Sequence, residues 1–389
     1  MELIKIGKFD WPSSRWADSH SVFDRIYLIQ RDDVIDHDFS WVELISLSKY
    51  GTLKNRFNSL LFKLLDNFLQ RPFLYNIIIF VIRIFNINTL IKIGKIETLN
   101  VYSSYNDYDR SDHLTVILFP FLRDKKIVRA IKESRPDFRY PEIFCLSHCN
   151  TIILNSIYNL DFFKNKYKID FSKKNILFDF DEDWRSIVFT EKMKFPEKFS
   201  VKTKSKHFVI LSGRVFSELG NVRSGARQYY IKLIKEIIKL GQRVDLYTGE
   251  VVLTSTGIDL YNEIERTSGG LFSVKGLLDF KNNPMAAYNT LSRYDFGILH
   301  NFESDQKVSY FDKFNIPNRF YEYQISGVLP IVKKGDSFVV EETILKNNCG
   351  IVYEELGELS NCDVTKYKMY NPSFKDYCFK LKEIYNTDI

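Results

Sequence analysis

The chain is poor in cysteine: five in 389 residues, at 145, 149, 349, 362 and 378, an odd number without regular spacing. That usage argues against a secreted disulfide scaffold and favours a reducing, cytoplasmic compartment. Cys145 and Cys149 flank His148 like the start of a zinc site, but no second ligand pair follows, so buried thiols are expected. Strong charge of one sign is also missing. The 55 Lys and Arg against 49 Asp and Glu leave a net +6, too little to require nucleic acid as a partner. The opening Met1-Glu2-Leu3-Ile4-Lys5-Ile6-Gly7 lacks a charged leader followed by an apolar core, so no export signal is expected. Neither the Gly-Lys-Ser/Thr of a Walker loop nor the Gly-x-Gly-x-x-Gly of dinucleotide enzymes occurs, which weakens a dehydrogenase reading.

What is present describes a globular protein, with 45% hydrophobic and 27% charged residues. At roughly 150 residues per domain, the length predicts two domains. In the first, Leu3 to Phe9, Asp24 to Gln30, Thr98 to Ser103, Thr115 to Phe119 and Thr151 to Asn155 read as strands, and Asp124 to Glu133 as a helix. The polar, lysine-rich stretch from Glu191 to Lys206, with Pro196, reads as a linker. The expected organisation is residues 1–195 as an acceptor-binding domain, 200–370 as a donor-binding domain, and 371–389 as a C-terminal helix across the hinge.

The second half carries the cleaner pattern. Strands are expected at His207 to Ser212, Arg243 to Tyr247, Leu271 to Val274, Phe296 to Leu299, Leu329 to Val332 and Ile351 to Tyr353. Helices are expected at Ala226 to Leu240, Asp259 to Arg266, Pro284 to Arg293 and Phe338 to Lys346. This alternation predicts a doubly wound parallel sheet, because parallel neighbours need a crossover that a helix usually supplies. Two such α/β domains, Rossmann-like and facing a cleft, are the fold expected for the whole chain.

Residues 49–95 interrupt the rhythm. They hold eight Lys and Arg against the single acid Asp66. Their longest uninterrupted apolar run is about half of the roughly 20 residues that span a bilayer, and Arg83 stops its extension. Two readings stand: an apolar surface rimmed by cations lying on an anionic membrane, or core helices with basic solvated faces.

Candidate chemistry gathers in two places. Gly213 and Arg214 end the first strand of the second half, and a loop with Asn221, Arg223, Ser224, Gly225 and Arg227 follows. Loop amides before a helix suit phosphate, and the arginines are either ligands or solvated charges. Further on, Pro317-Asn318-Arg319-Phe320-Tyr321-Glu322-Tyr323 precedes Gly327 and the apolar run Val328 to Val332. Arg319 and Glu322, three apart, share a helix face. A guanidinium suits phosphate and a carboxylate suits ribose hydroxyls, and a plain ion pair fits the spacing equally.

In their order, Gly213-Arg214, Lys275-Gly276, Tyr294-Asp295-Phe296-Gly297-Ile298, Pro317-Asn318-Arg319-x-x-Glu322-Tyr323, Gly327 and Pro330-Ile331-Val332 resemble the donor domain of GT-B glycosyltransferases. The likeness spans about residues 207–355 and is nearest to the retaining, family 4-like enzymes of bacterial polysaccharide synthesis. The resemblance implies that Glu322 holds the donor ribose, that Arg214 lies near the diphosphate, and that His300 and Asn301 contact donor phosphate or sugar. It implies a nucleotide diphosphate sugar as donor, a glycan or lipid-linked acceptor, and no metal cofactor.

One departure is visible. Many members carry Glu-x7-Glu ending at the ribose carboxylate, whereas Phe314 stands eight residues before Glu322. Lys313 or Glu303 is left to contact the donor instead. Asp179-Phe180-Asp181-Glu182-Asp183 offers a rival, metal-holding Asp-x-Asp in the manner of GT-A enzymes, or a solvated acidic connection. Asp18 and His20, or Asp112 and His113, are the candidates for a base or acceptor contact, or ordinary loop residues. The composite expectation is a cytoplasmic glycosyltransferase, peripheral at the inner face of a membrane. A sugar-nucleotide epimerase of the same fold and a non-catalytic nucleotide-binding scaffold are the alternatives.

Overall fold

The computed structural model describes residues 2–6, 25–30, 42–46, 53–96, 101–105, 110–131, 139–154, 156–178, 194–218, 228–280, 282–299, 313–314, 316–367, 379 and 383. The chain divides into two compact units, Met1–Asp181 with Ser373–Ile389, and Glu182–Pro372.

The first unit is built on seven strands: β1 (Glu2–Ile6), β2 (Arg25–Gln30), β3 (Val42–Ser46), β4 (Val101–Tyr105), β5 (Lys126–Ile131), β6 (Thr151–Leu154) and β7 (Asn175–Phe178). They pair in the order β3-β2-β1-β4-β5-β6-β7, all parallel. Among the described residues five helices accompany them: α1 (Leu53–Asn67), α2 (Pro72–Gly94), α3 (Arg110–Leu122), α4 (Tyr140–His148) and α5 (Ile157–Tyr167).

Two expectations are overturned here. Thr115 to Phe119 lies inside helix α3, and Asp124 to Glu133 contains strand β5. Every side chain from Asp112 to Leu118 is buried, so α3 lacks the polar face that makes a helix readable. Strand β5 carries Arg129, fully buried and paired with Asp112 of α3. Its charge gave an internal strand the look of an amphipathic helix. Strands β3 and β7 lie outside the strands expected from the sequence.

Arg83 does not interrupt α2, which runs 23 residues. Its guanidinium turns inward and donates to the carbonyls of Val116 (2.6 Å) and Ile117 (3.0 Å) in α3. Pro120 sits inside α3 and has no N–H to offer the carbonyl four residues earlier, which is that of Val116. Arg83 supplies the missing donor.

The second unit holds β8 (His207–Ser212), β10 (Arg243–Thr248), β12 (Phe272–Lys275), β13 (Phe296–Ile298), β14 (Leu329–Lys333) and β15 (Ile351–Tyr353), with a small ribbon of β9 (Val215–Phe216) and β11 (Val251–Val252). The six main strands form a parallel sheet in the order β12-β10-β8-β13-β14-β15. Its helices are α6 (Phe199–Thr203), α7 (Ile231–Lys239), α8 (Leu260–Thr267), α9 (Pro284–Leu291), α10 (Asn318–Ile325) and α11 (Phe338–Asn347). Part of the stretch read as a linker is built into this unit. The Lys198 ammonium donates to the carbonyls of Ser292, Tyr294 and Gly327 at 3.2, 2.6 and 2.8 Å, and Phe199 N bonds Arg293 O.

Candidate functional site in the second unit

From β8 the sheet grows in two directions, to β10 on one side and to β13 on the other. At such a switch point the connections leave toward opposite faces, and a crevice opens at the carboxyl ends of the two strands. Here β13 is short. Its register ends with Ile298 opposite Ile210, so Leu211 presents its N–H and C=O where no partner strand follows.

Two side chains of α10 take those groups. Tyr323 Oη accepts from Leu211 N at 3.1 Å, and Arg319 Nη1 donates to Leu211 O at 2.6 Å. The Tyr323 hydroxyl also lies 3.2 Å from Ile298 O and 3.3 Å from Val209 O. Its ring rests on Gly297, where a Cβ would come closer than 3.0 Å to three ring atoms. Glycine in β13 is therefore what lets α10 lie against both central strands. Burial pushes the Tyr323 phenol well above its ordinary pKa, so it stays protonated and keeps a proton to donate.

Arg319 Nη1 also donates to Tyr230 Oη at 3.0 Å. Tyr230 N in turn donates to Tyr261 Oη, which donates to Phe216 O. This chain fixes the amino end of α7 and the ribbon beyond β8 relative to α10. Arg319 thus spends two hydrogen bonds on protein groups, tying α10 to β8 and to the start of α7. Its Nε is buried with no hydrogen-bond partner among the described residues.

The loop after β8 carries Gly213 and Arg214. Ser212 Oγ donates to Arg214 O at 2.6 Å, and Gly249 N donates to Gly213 O at 3.2 Å, which sets the ends of β8 and β10 back to back. A Cβ at Gly249 would lie 2.7 Å from the exposed Leu277 side chain, which would have to turn aside, and 3.2 Å from Gly213 O. Gly213 is different. A Cβ would meet nothing within 4 Å, and the residue is not among those of positive φ. Among the described residues, neither packing nor backbone geometry demands glycine at that point. Arg214, half-exposed, is held by Glu250 through Nε at 2.6 Å.

Asn318 opens α10 after Pro317, and Glu322 lies one turn on, half-buried and engaged within the protein. Lys313 sets its ammonium 5.0 Å from the centre of the Phe338 ring. Arg223, Arg227, His300, Asn301, Glu303, Asp18, His20 and the acidic run from Asp179 to Asp183 lie outside the described residues.

Asp112 and His113, weighed as a base in a loop, are buried on α3. His113 bridges Tyr75 Oη (2.7 Å) and Asp66 Oδ1 (3.0 Å), and Asp112 pairs with Arg129. A buried ion must be paired, and this pairing leaves both as internal ties. Cys145 and Cys149 are buried thiols whose pKa values burial raises, that of Cys149 to about 11. His148 faces outward and bonds Phe144 O. Among the described residues, no group of three or more His, Cys, Asp or Glu is placed to hold a metal ion. Sequence reasoning had no role for Tyr230 or Gly297. The available signal was Arg319 and Tyr323 at i and i+4 beside a glycine-containing strand.

No family model and no curated protein sequence matches the chain. Solved structures do. The glycosyltransferase AviGT4 of avilamycin A biosynthesis superposes with a TM-score of 0.50 at 8% identity, over 99% of this chain and 97% of its own. A putative UDP-N-acetylglucosamine 2-epimerase from Listeria monocytogenes gives 0.54 at 10% identity, over 100% and 97%. OtsA without ligand gives 0.53 at 8% identity, over 99% and 95%. At these identities the likeness is one of fold, and it extends over nearly the whole of each chain. With two parallel α/β units in succession, the chain has the GT-B fold.

Proposed function

We propose that the protein is a glycosyltransferase that takes a sugar from a nucleoside diphosphate sugar held at the β8–β13 switch point. It passes that sugar to a glycan or lipid-linked acceptor in the synthesis of a surface polysaccharide, on the cytoplasmic side of a membrane. The observation that carries this reading is Gly213, a glycine that packing among the described residues does not require, standing at the carboxyl end of β8. A backbone without a side chain there permits close approach of a diphosphate.

In the reaction the sugar–phosphate bond breaks, an acceptor oxygen bonds the anomeric carbon and gives up its proton, and the nucleoside diphosphate departs. The growing diphosphate charge is assigned to Arg214, to the loop with Arg223 and Arg227, and to the first-turn amides of α10 at Asn318 and Arg319. No metal is needed in this scheme. The buried Arg319 Nε–H offers one further donor to a bound oxygen. Glu322 is assigned to the ribose hydroxyls, His300 and Asn301 to the transferred sugar or its phosphate, and Asp18 and His20 to the acceptor or its proton.

The similarity to the putative epimerase keeps a second reading in view, in which the same donor site releases an altered sugar without an acceptor. Incubating the protein with sugar nucleotides, with and without a glycan-bearing membrane extract, separates the two. Extract-dependent release of nucleoside diphosphate with sugar joined to the extract supports transfer. Acceptor-independent change of the sugar supports the epimerase, and no turnover of any donor contradicts both.

A further inference from the structure

Helix α2 has two apolar faces. Tyr75, Ile79, Ile82, Asn86, Leu90 and Ile93 point into the core of the first unit. Phe73, Ile77, Phe80, Ile84, Ile87 and Ile91 form a second row, exposed along its whole length, with Phe73 at 77% and Phe80 at 61%. At 100° per residue the second row spans a strip roughly 80° wide and about 27 Å long, opposite the buried row. Phe57 and Leu60 of α1 are exposed too, and the Phe57 ring meets that of Phe85, tilted by 55° with centres 4.9 Å apart. A soluble surface seldom carries an apolar strip of this size without a partner.

The charges indicate which partner. Arg71 precedes the strip, Lys92 and Lys95 follow it, and all three are exposed. Arg83, the single charge within the helix before Lys92, is turned away to α3. The one acid of the segment, Asp66, is tied to His113. The result is an uncharged apolar strip with cations at both ends, which matches an acyl boundary beneath anionic head groups.

Pairing with a second copy fits less well. A two-fold axis would either run the two α2 helices antiparallel, bringing Arg71 of one toward Lys92 and Lys95 of the other, or run them parallel, bringing each of these cations toward its own copy. By length and composition α2 could cross a bilayer. Its buried row is nevertheless built into the core, so it lies along the unit with one side outward. We infer that α2, with Phe57 and Leu60 of α1, seats the protein in plane on an anionic lipid surface.

Sedimentation of the full chain with vesicles tests this, using phosphatidylcholine alone and phosphatidylcholine with roughly 30 mol% phosphatidylglycerol. Binding is expected to be at least about tenfold stronger with the anionic lipid and to weaken as salt screens the charges. Phe73→Asp/Phe80→Asp, at exposed positions, should keep the wild-type melting temperature and lose binding by about tenfold or more. Lys92→Glu/Lys95→Glu should lose the anionic preference and serves as the independent variant should the first fail to fold. Equal binding to both vesicles, binding unchanged by either variant, or a dimer in solution that Phe73→Asp/Phe80→Asp dissolves would overturn the inference. The inference is independent of the donor site, since vesicles are tested without nucleotide and nucleotide binding is measured without vesicles.

Discussion

In a Tyr323→Phe variant the ring stays on Gly297, no cavity opens, and the change is confined to one oxygen. That oxygen accepts from Leu211 N at 3.1 Å and has a single proton to share between Ile298 O and Val209 O, at 3.2 and 3.3 Å. Two net hydrogen bonds at about 1 kcal/mol each, with the extra cost of a buried N–H left without an acceptor, give a loss of about 2–3 kcal/mol. For a unit of this size each kcal/mol moves the melting temperature by about 2–4 °C, so a fall of roughly 4–12 °C is expected. Scanning calorimetry of the full chain reads it on the transition assigned to the second unit. Gly297→Ala acts on the same ring from the other side and should cost about 1–3 kcal/mol by overpacking. In Tyr323→Leu, where the ring is gone, Gly297→Ala should cost measurably less. A Tyr323→Phe protein that melts within about 1 °C of wild type would refute the view that α10 completes the end of β8.

Two further outcomes follow from the packing. Arg83→Met removes the donors to the Val116 and Ile117 carbonyls and should destabilise the first unit by about 1–3 kcal/mol, read by denaturant unfolding. In a Pro120→Ala background, where a backbone N–H can take the Val116 carbonyl, the cost of Arg83→Met should shrink; equal costs in both backgrounds would disprove the compensation. Burial lowers the His207 pKa below its ordinary value, against the pull of Asp295. The fold therefore favours the neutral ring, and its contribution is complete above the unfolded value of about 6.5 and is lost as pH falls through the lower folded value. Melting temperature should drop below about pH 6.5 more in wild type than in His207→Gln.

The second unit was legible because its helices are half-buried: α7 and α8 show an apolar stripe, and the strands between them are short apolar runs. The first unit hid its elements by burial. Helix α3 has no polar face to mark its period, and the donor that Pro120 within it lacks comes from Arg83 of another helix. Arg129 in β5 is a charge at a core position, intelligible only with Asp112 beside it. At the candidate site the order of the motifs located α10, but spacing could not say which way Arg319 points. That depends on β13 stopping one residue short of Leu211, a matter of strand pairing that lies outside the helix's own sequence.

A calorimetric titration of the chain with uridine, guanosine, cytidine and adenosine diphosphates measures the central claim most directly. One of the four should bind. Glu322→Ala and Arg214→Ala should each weaken that binding by about 1–3 kcal/mol. Arg214 and Glu250 are half-exposed, so Arg214→Ala should barely change the melting temperature. Binding by none of the four, or affinity unchanged in both variants, would contradict the assignment of a nucleotide site to the β8–β13 crevice.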